Sequence, residues 1–346
     1  MSLDTITVRQ LPLDSAATLL TRARDACDPL LRNVIGSMPE PLAMMAGYHL
    51  GWWDVDRRAV DAASGKSIRA ALTLAAATAC GGDAGSAAAA AAAVELIHIF
   101  TLLHDDVMDA DEFRRGRPTV WRVWGANNAI LVGDALHAAA IRILSESMSE
   151  GVALGAITRL ETSVLDLCAG QFEDCAFDGR VGVTVDDYFR MATSKTARLI
   201  GCACALGAMS AQADDASVAA MEQFGYQLGL AFQIVDDVLG IWGDSAMTGK
   251  PVGTDLARRK ATLPVVVAFA TRSDAAAELS ALYKSDGALT PREIRRATEL
   301  VEAAGGRRVA RWHADQRVQA ATMALLDTME SADLLALSHM VIGRTH

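Results

Sequence analysis

The sequence predicts an all-α fold, a single large helical bundle, from three observations. Aromatic residues make up only 5% of the 346, alanine is abundant, and apolar side chains recur at helical spacing instead of alternating. An N-terminal helix is read from the stripe Leu19/Leu20, Ala23, Ala26/Cys27 and Leu30/Leu31. Helices follow near 67–81, 84–109, 127–149, 151–177, 184–211 and 215–241. Further ones are expected over 255–271, 274–285, 291–303 and 305–345, the last carrying Leu325/Leu326 and Met329. Several exceed the mean globular helix of about 11–12 residues and run almost continuously in alanine and leucine, as helices buried on most of their circumference do. The breaks fall on turn chemistry: Gly81-Gly82-Asp83, Arg115-Gly116-Arg117-Pro118, Asp178-Gly179-Arg180, Gly243–Gly253 with Pro251, and Gly305-Gly306. None is long enough to be an interdomain linker, and no internal repeat recurs, so residues 1–346 read as one domain.

Composition narrows the function. With 32 basic and 42 acidic side chains the net charge is −10, which repels nucleic acid, so a phosphate-bearing ligand must be met by local Lys and Arg or by metal. A content of 51% hydrophobic and 21% charged residues is globular and excludes wholesale disorder. No membrane-spanning segment is expected: the alanine run Ala84–Ala93 leads into Glu95, His98, Asp105 and Asp106, and Leu263–Ala270 is too short. Met1–Asp14 lacks the apolar core of a signal peptide. The six cysteines form no CxxC pair and read as small core residues of a reducing compartment, which points to the cytoplasm.

Two aspartate clusters carry the chemistry. Asp105-Asp106-x-x-Asp109 ends an apolar helix (Leu96, Ile97, Ile99, Phe100, Leu102, Leu103), and Arg114-Arg115-Gly116-Arg117-Pro118 follows. Asp105 and Asp109 are four apart on one helical face, where like charges gain nothing unless a cation neutralises them. One such cluster could be a solvated helix end, but Asp236-Asp237 closes a second apolar helix, with Asp244, Lys250, Asp255 and Lys260 beyond. Oxygen ligands without Cys or His at matching spacing suggest Mg²⁺. Facing clamps of this kind can hold a diphosphate. Lys66 and Arg69 at a predicted helix start, with Arg114, Arg115, Lys195, Lys250 and Lys260, describe two anionic groups bound side by side.

These motifs, in this order from about Gly65 to Pro264, resemble those of the polyprenyl synthetases, the trans-isoprenyl diphosphate synthases, most like a geranylgeranyl diphosphate synthase. The resemblance implies an all-helical bundle around a deep central cavity, working as a homodimer. It implies condensation of isopentenyl diphosphate with an allylic diphosphate in the presence of three Mg²⁺ ions. Asp105 and Asp109 would hold two ions with Asp106 in support, and Asp236 the third, helped by Asp237 and Gln233. Arg114, Lys195, Lys250 and Lys260 would contact the allylic diphosphate. Thr196 and Gln171, the latter in Gly170-Gln171-x-x-Asp174, would line the reacting end, with Asp174 in the outer shell of a metal. Lys66, Arg69, His98 and Arg115 match a metal-free site for isopentenyl diphosphate.

The sequence departs from the family pattern at Gly240, where a third aspartate is usual, at Ser67-Ile68 and Ala70, and at a terminus without a basic cluster. Phe100 and Thr101, five and four residues before Asp105, resemble a chain-length pattern associated with C20 products. Phe100 would suit plain core packing equally well. A class I terpene cyclase would use an Asp-rich helix but not the second cationic site, and a non-catalytic subunit would usually lose an aspartate motif. His49, His104, His137, His313 and His339 show no ligand spacing, and Trp52, Trp53, Trp121 and Trp124 read as core or subunit-contact aromatics.

Overall fold

Alanine lets the long helices of this bundle approach closely. Ala90, Ala91, Ala92 and Ala93 lie in one helix and are all buried, as are Val94, Leu96 and Ile97 after them, so the helix is enclosed on every face and its methyl side chains let neighbours come near. The computed structural model describes residues 13–60, 65, 67–243, 252–326, 329 and 331–343. Its first helices are α1 (Leu13–Gly36), α2 (Glu40–His49), α3 (Ile68–Ala79) and α4 (Ala88–Met108). A short hairpin, β1 (Phe113–Arg114) and β2 (Arg117–Pro118), leads to α5 (Val120–Trp124), α6 (Ala126–Ser147) and α7 (Glu150–Phe177). Then come α8 (Val185–Ala192), α9 (Arg198–Ser210), α10 (Asp215–Trp242), α11 (Thr254–Ala257) and α12 (Leu263–Ala270). The chain continues through α13 (Asp274–Lys284), α14 (Pro291–Ala303), α15 (Gly306–Met323) and α16 (Ala332–Gly343). α4 packs on α6 and α3, while α10 packs on α9 and α15. A main core spans these helices, and a smaller one joins Ile241, Leu256, Val265 and Leu279 with α14.

The predicted helices are present, with four differences. The segment 184–211 is not one regular helix, because a single π turn, Thr193–Ala197, interrupts it between α8 and α9. The segment 255–271 breaks between α11 and α12, where Arg259 adopts a left-handed φ of 53° and Pro264 sits in the first turn of α12. The segment 305–345 divides into α15 and α16. Asp83 caps a 3-10 turn, Ala84–Ala87, ahead of α4.

Two helical stretches, Ala84–Met108 and Ala126–Ser147, are long and apolar enough by length and composition alone to cross a membrane, a test that core helices of a bundle also pass. The first is 72% buried inside the bundle and owes its hydropathy to that burial; the second is only 44% buried. Of the cysteines, Cys27, Cys202 and Cys204 are core residues as expected, but Cys168 and Cys175 are exposed on α7.

The hairpin after α4 is held by a contact the sequence did not announce. Arg117 donates Nη1 to the Tyr48 carbonyl at 3.0 Å and Nη2 to the Trp53 carbonyl at 2.8 Å, with its guanidinium 4.2 Å over the Tyr48 ring. The Tyr48 hydroxyl donates to the Pro118 carbonyl at 2.9 Å, closing the clamp. Replacing Arg117 by Ala removes two charge-assisted hydrogen bonds and should cost about 2 kcal/mol or more. Urea unfolding of Arg117→Ala within a few tenths of wild type would show that the hairpin does not need the clamp.

Candidate active site

The first acidic cluster sits where α4 runs out of partners. Asp109 caps the helix, its N–H donating to the Asp105 carbonyl at 2.8 Å. Asp106 is 1% exposed and accepts both Nε and Nη2 of Arg114 at 2.8 Å on one oxygen. Burial, more than any neighbour, raises the Asp105 carboxyl to about 6; Asp109 and Asp174 add to this, and Lys195 and Arg114 offset it only in part. A carboxylate so placed is short of positive charge, which favours a bound cation.

Opposite lies a lysine-rich wall from α7, the π turn and the segment after α11. Lys195 donates to Asp174 at 2.6 Å, and Lys260 reaches Asp174 at 3.3 Å, Asp178 at 3.1 Å and Asp109 at 3.5 Å. Burial works against both ammonium groups. Asp174 and Asp105 outweigh it at Lys195, Asp174, Asp109 and Asp178 outweigh it at Lys260, and both pKa values rise. Burial likewise opposes the Asp174 charge, but Lys195 and Lys260 pull its pKa below the usual range. Gly170 allows this closeness: a β carbon there would come within 2.2 Å of the Lys195 backbone nitrogen. The π turn presents Lys195 to α7 and Thr196 to α10.

Thr196 starts a second network. Its hydroxyl donates to Gln233 Oε1 at 2.6 Å, Gln233 Nε2 donates to Asp237 at 2.8 Å, and the Leu263 N–H reaches the other Asp237 oxygen at 2.9 Å. Asp237 is buried, which raises it to about 7, and protein donors meet both of its oxygens. Gln171 is buried beside Cys175, and its Oε1 has no hydrogen-bond partner among the described residues.

A group of arginines lines a cavity of about 330 Å³. Arg69, Arg114, Arg115, His98 and His49 face it, together with Asp236 from the second acidic cluster. Burial, then the neighbouring arginines, holds His49 at about 3 and His98 well below the ordinary range, so both imidazoles are neutral. Glu95 accepts the Ala70 N–H at 3.1 Å and lies within the field of Arg69, Arg115 and Arg24. Lys66 and Lys250, both predicted site residues, lie outside the described residues. Arg114 links the two regions, holding Asp106 on one side and lining the arginine cavity on the other.

The sequence matches the family model described as Polyprenyl synthetase over residues 58–301. The chain belongs to the polyprenyl synthetase family. It is 60% identical over 344 residues to a geranylgeranyl diphosphate synthase of Mycobacterium tuberculosis, covering 99% of this chain and 98% of that one. It is 39% identical over 350 residues to the (2E,6E)-farnesyl diphosphate synthase of the same species, covering 99% and 95%. Its fold superposes on a polyprenyl synthetase from Streptomyces coelicolor A3(2) with a TM-score of 0.88 at 38% identity, covering 94% of this chain and 98% of that one. The all-α isoprenoid-synthase fold expected from the motifs is therefore the fold observed, and the protein is a prenyltransferase that elongates a prenyl chain.

Polyprenyl synthetases are Mg²⁺ enzymes, and the donor set here suits that ion. Asp105 and Asp109 offer hard oxygen ligands on one helix end, and Asp105 is under-neutralised by its neighbours. No three His, Cys, Asp or Glu side chains converge into a closed cage among the described residues. Mg²⁺ needs none, since it is typically held by one or two carboxylates with water and substrate phosphates.

Phe100, five residues before Asp105, is buried, stacks on His137 at 5.3 Å and meets His104 edge-on at 4.8 Å. Glu161 accepts from His137 at 2.9 Å, so α7 backs that stack, while the Thr101 hydroxyl turns back to the His98 carbonyl. Gly240 has a local explanation. A β carbon there would lie 1.9 Å from the Asp255 carboxylate, which fills the space beside the shortened second motif. Sequence reasoning missed Arg258, which pairs with Asp111 and approaches Asp109 at 3.8 Å, and it also missed Arg24 and Glu95 at the arginine cavity. The run Arg258-Arg259-Lys260 was a signal for the first; the others needed the fold.

The raised Asp105 pKa predicts a pH dependence. Its stabilising contribution is complete below the ordinary carboxylate range and lost as pH rises through about 6. In EDTA, wild type should lose stability relative to Asp105→Asn between pH 4.5 and 7.5, on the order of that titration range; parallel melting curves would refute it. Gly240→Ala must displace the Asp255 carboxylate, so its activity should need severalfold more Mg²⁺, on the order of a 1 kcal/mol loss. An unchanged Mg²⁺ titration would mean that Asp255 is irrelevant to the metal.

Proposed function

We propose that the protein joins isopentenyl diphosphate head to tail to an allylic prenyl diphosphate and that geranylgeranyl diphosphate is its main product. The observation that carries this is the division of the site by Arg114: carboxylates and lysines lie on one side, arginines and neutral histidines on the other. Two diphosphates, one with metal and one without, fit such a division. The relative with 60% identity is a geranylgeranyl diphosphate synthase, and Phe100 with its His137 backing supports a C20 limit.

In this proposal Asp105 and Asp109 would hold two Mg²⁺ ions with Asp106 in support, and Asp236 a third. When bound, these ions neutralise charge on the departing allylic diphosphate. Lys195, Lys260, Lys250 and Arg114 add fixed positive charge around the same group and favour scission of the allylic C–O bond. Thr196, oriented through Gln233 by buried Asp237, offers its oxygen to the cationic end of the chain, with Gln171 alongside. Arg69, Arg115, His98 and Lys66 hold isopentenyl diphosphate so that its double bond attacks the allylic carbon. The proton lost afterwards goes to the released diphosphate, since no side-chain base is assigned.

One catalytic domain, a cytoplasmic location and a homodimer complete the proposal. Exposed Ile130 and Leu131 on α6, with Leu154, Leu165 and Phe172 on α7, support a subunit contact on that side.

The test is a product assay with isopentenyl diphosphate and dimethylallyl, geranyl or farnesyl diphosphate, with products sized by mass spectrometry. A C20 diphosphate that disappears with EDTA is expected. Asp105→Asn should lower kcat at least about 100-fold, and Phe100→Ala should lengthen the product. Hydrocarbon formed without isopentenyl diphosphate would mean a cyclase, and silence with every starter would favour a non-catalytic subunit.

A further inference from the structure

We infer that Arg24, on the N-terminal helix α1, binds the diphosphate of isopentenyl diphosphate directly, as a third guanidinium beside Arg69 and Arg115. The inference rests on the metal-free site proposed above and adds to it a residue from a helix outside both aspartate motifs.

Arg24 lines the same 330 Å³ cavity as Arg69 and Arg115. Gly65 fixes its place. Arg24 Nη2 donates to the Gly65 carbonyl across 3.4 Å, while Arg115 Nη2 lies only 2.5 Å from where a Gly65 β carbon would stand. Two guanidinium groups thus crowd around one residue at the cavity wall, an arrangement that repels itself unless an anion lies between them. Glu95 lies within the field of both, but it also serves Arg69 and is engaged with the Ala70 N–H.

The donors are also under-used. The hydrogen bond to Gly65 is long and is the only one Arg24 makes among the described residues. Arg24 Nε, Arg69 Nε and His49 Nε2 are buried on this wall without hydrogen-bond partners there. Asp28, one turn along α1, is 3.8 Å from Arg32 and so has another cation at hand. Planar guanidinium forks bind phosphate oxygens two at a time, which suits an anion held without metal. α1 would then sense an occupied site, because its arginine spans from the cavity wall to the ligand.

The experiment is steady-state kinetics on the full chain with Arg24→Gln and Arg24→Lys, varying each substrate in turn. For Arg24→Gln the KM for isopentenyl diphosphate should rise about tenfold, the loss of one charge-assisted hydrogen bond. The KM for the allylic diphosphate should stay within twofold, and Lys should recover part of the difference. Equal rises in both KM values, or no rise, would overturn the inference. Arg69→Gln distinguishes the levels of failure: if it raises the KM for isopentenyl diphosphate and Arg24→Gln does not, only the Arg24 inference falls. If neither does, the metal-free site itself is misassigned. Should Arg24→Gln fold poorly, calorimetric titration of Arg24→Lys and wild type with isopentenyl diphosphate in EDTA decides. Weaker binding by the Lys variant is expected, and equal binding would refute direct contact.

Discussion

The structure depends on neutralising carboxylates at the ends of apolar helices. Asp106 and Asp237 are buried, Asp105, Asp109 and Asp174 nearly so, and all lie where water cannot screen them well. Left alone, such groups would take up protons or force the helices apart. The chain answers with fixed cations for some, backbone and amide donors for Asp237, and an incomplete answer for Asp105. Incomplete neutralisation costs stability, and in the proposed function it is what would make room for a metal-bound anion. Function therefore lies in the charges that folding leaves uncompensated.

The two halves of the site achieve opposite electrostatic ends with similar materials. On the lysine side each cation is matched to carboxylates at 2.6–3.5 Å, so the ligand must compete with or recruit those pairs. On the arginine side the positive groups face a cavity and the histidines are neutral, so the proposed anion would enter with little rearrangement. Neutral imidazoles matter there because they donate hydrogen bonds without adding to the repulsion between arginines.

Much of this was legible in the sequence because helix ends carry their chemistry in short motifs. Asp105-x-x-x-Asp109 and Asp236-Asp237 each follow an apolar run, and that pattern located both acidic clusters before any fold was known. Most helix positions were readable from apolar spacing and turn residues, whereas α2 and α5 were not anticipated. What was hidden is what depends on tertiary approach. The Arg117 clamp joins residues more than sixty positions apart, Arg24 meets Gly65 across forty-one, and no local spacing marks either. The split of the last predicted helix and the π turn were also invisible, since periodicity cannot resolve one extra residue within a turn.

That extra residue has a consequence for how the chain can vary. A regular α-helix turns by about 100° per residue. Deleting one position within Thr193–Ala197 would swing all of α9 by that angle relative to α8. The buried faces set by Tyr188 and Met191 on one side and by Leu199 and Ile200 on the other could no longer both point inward. Substitutions in this stretch alter one side chain at a time, whereas a change of length alters the aim of an entire rod. The segment must therefore keep its length as well as the Lys195 and Thr196 side chains that it presents to Asp174 and Gln233.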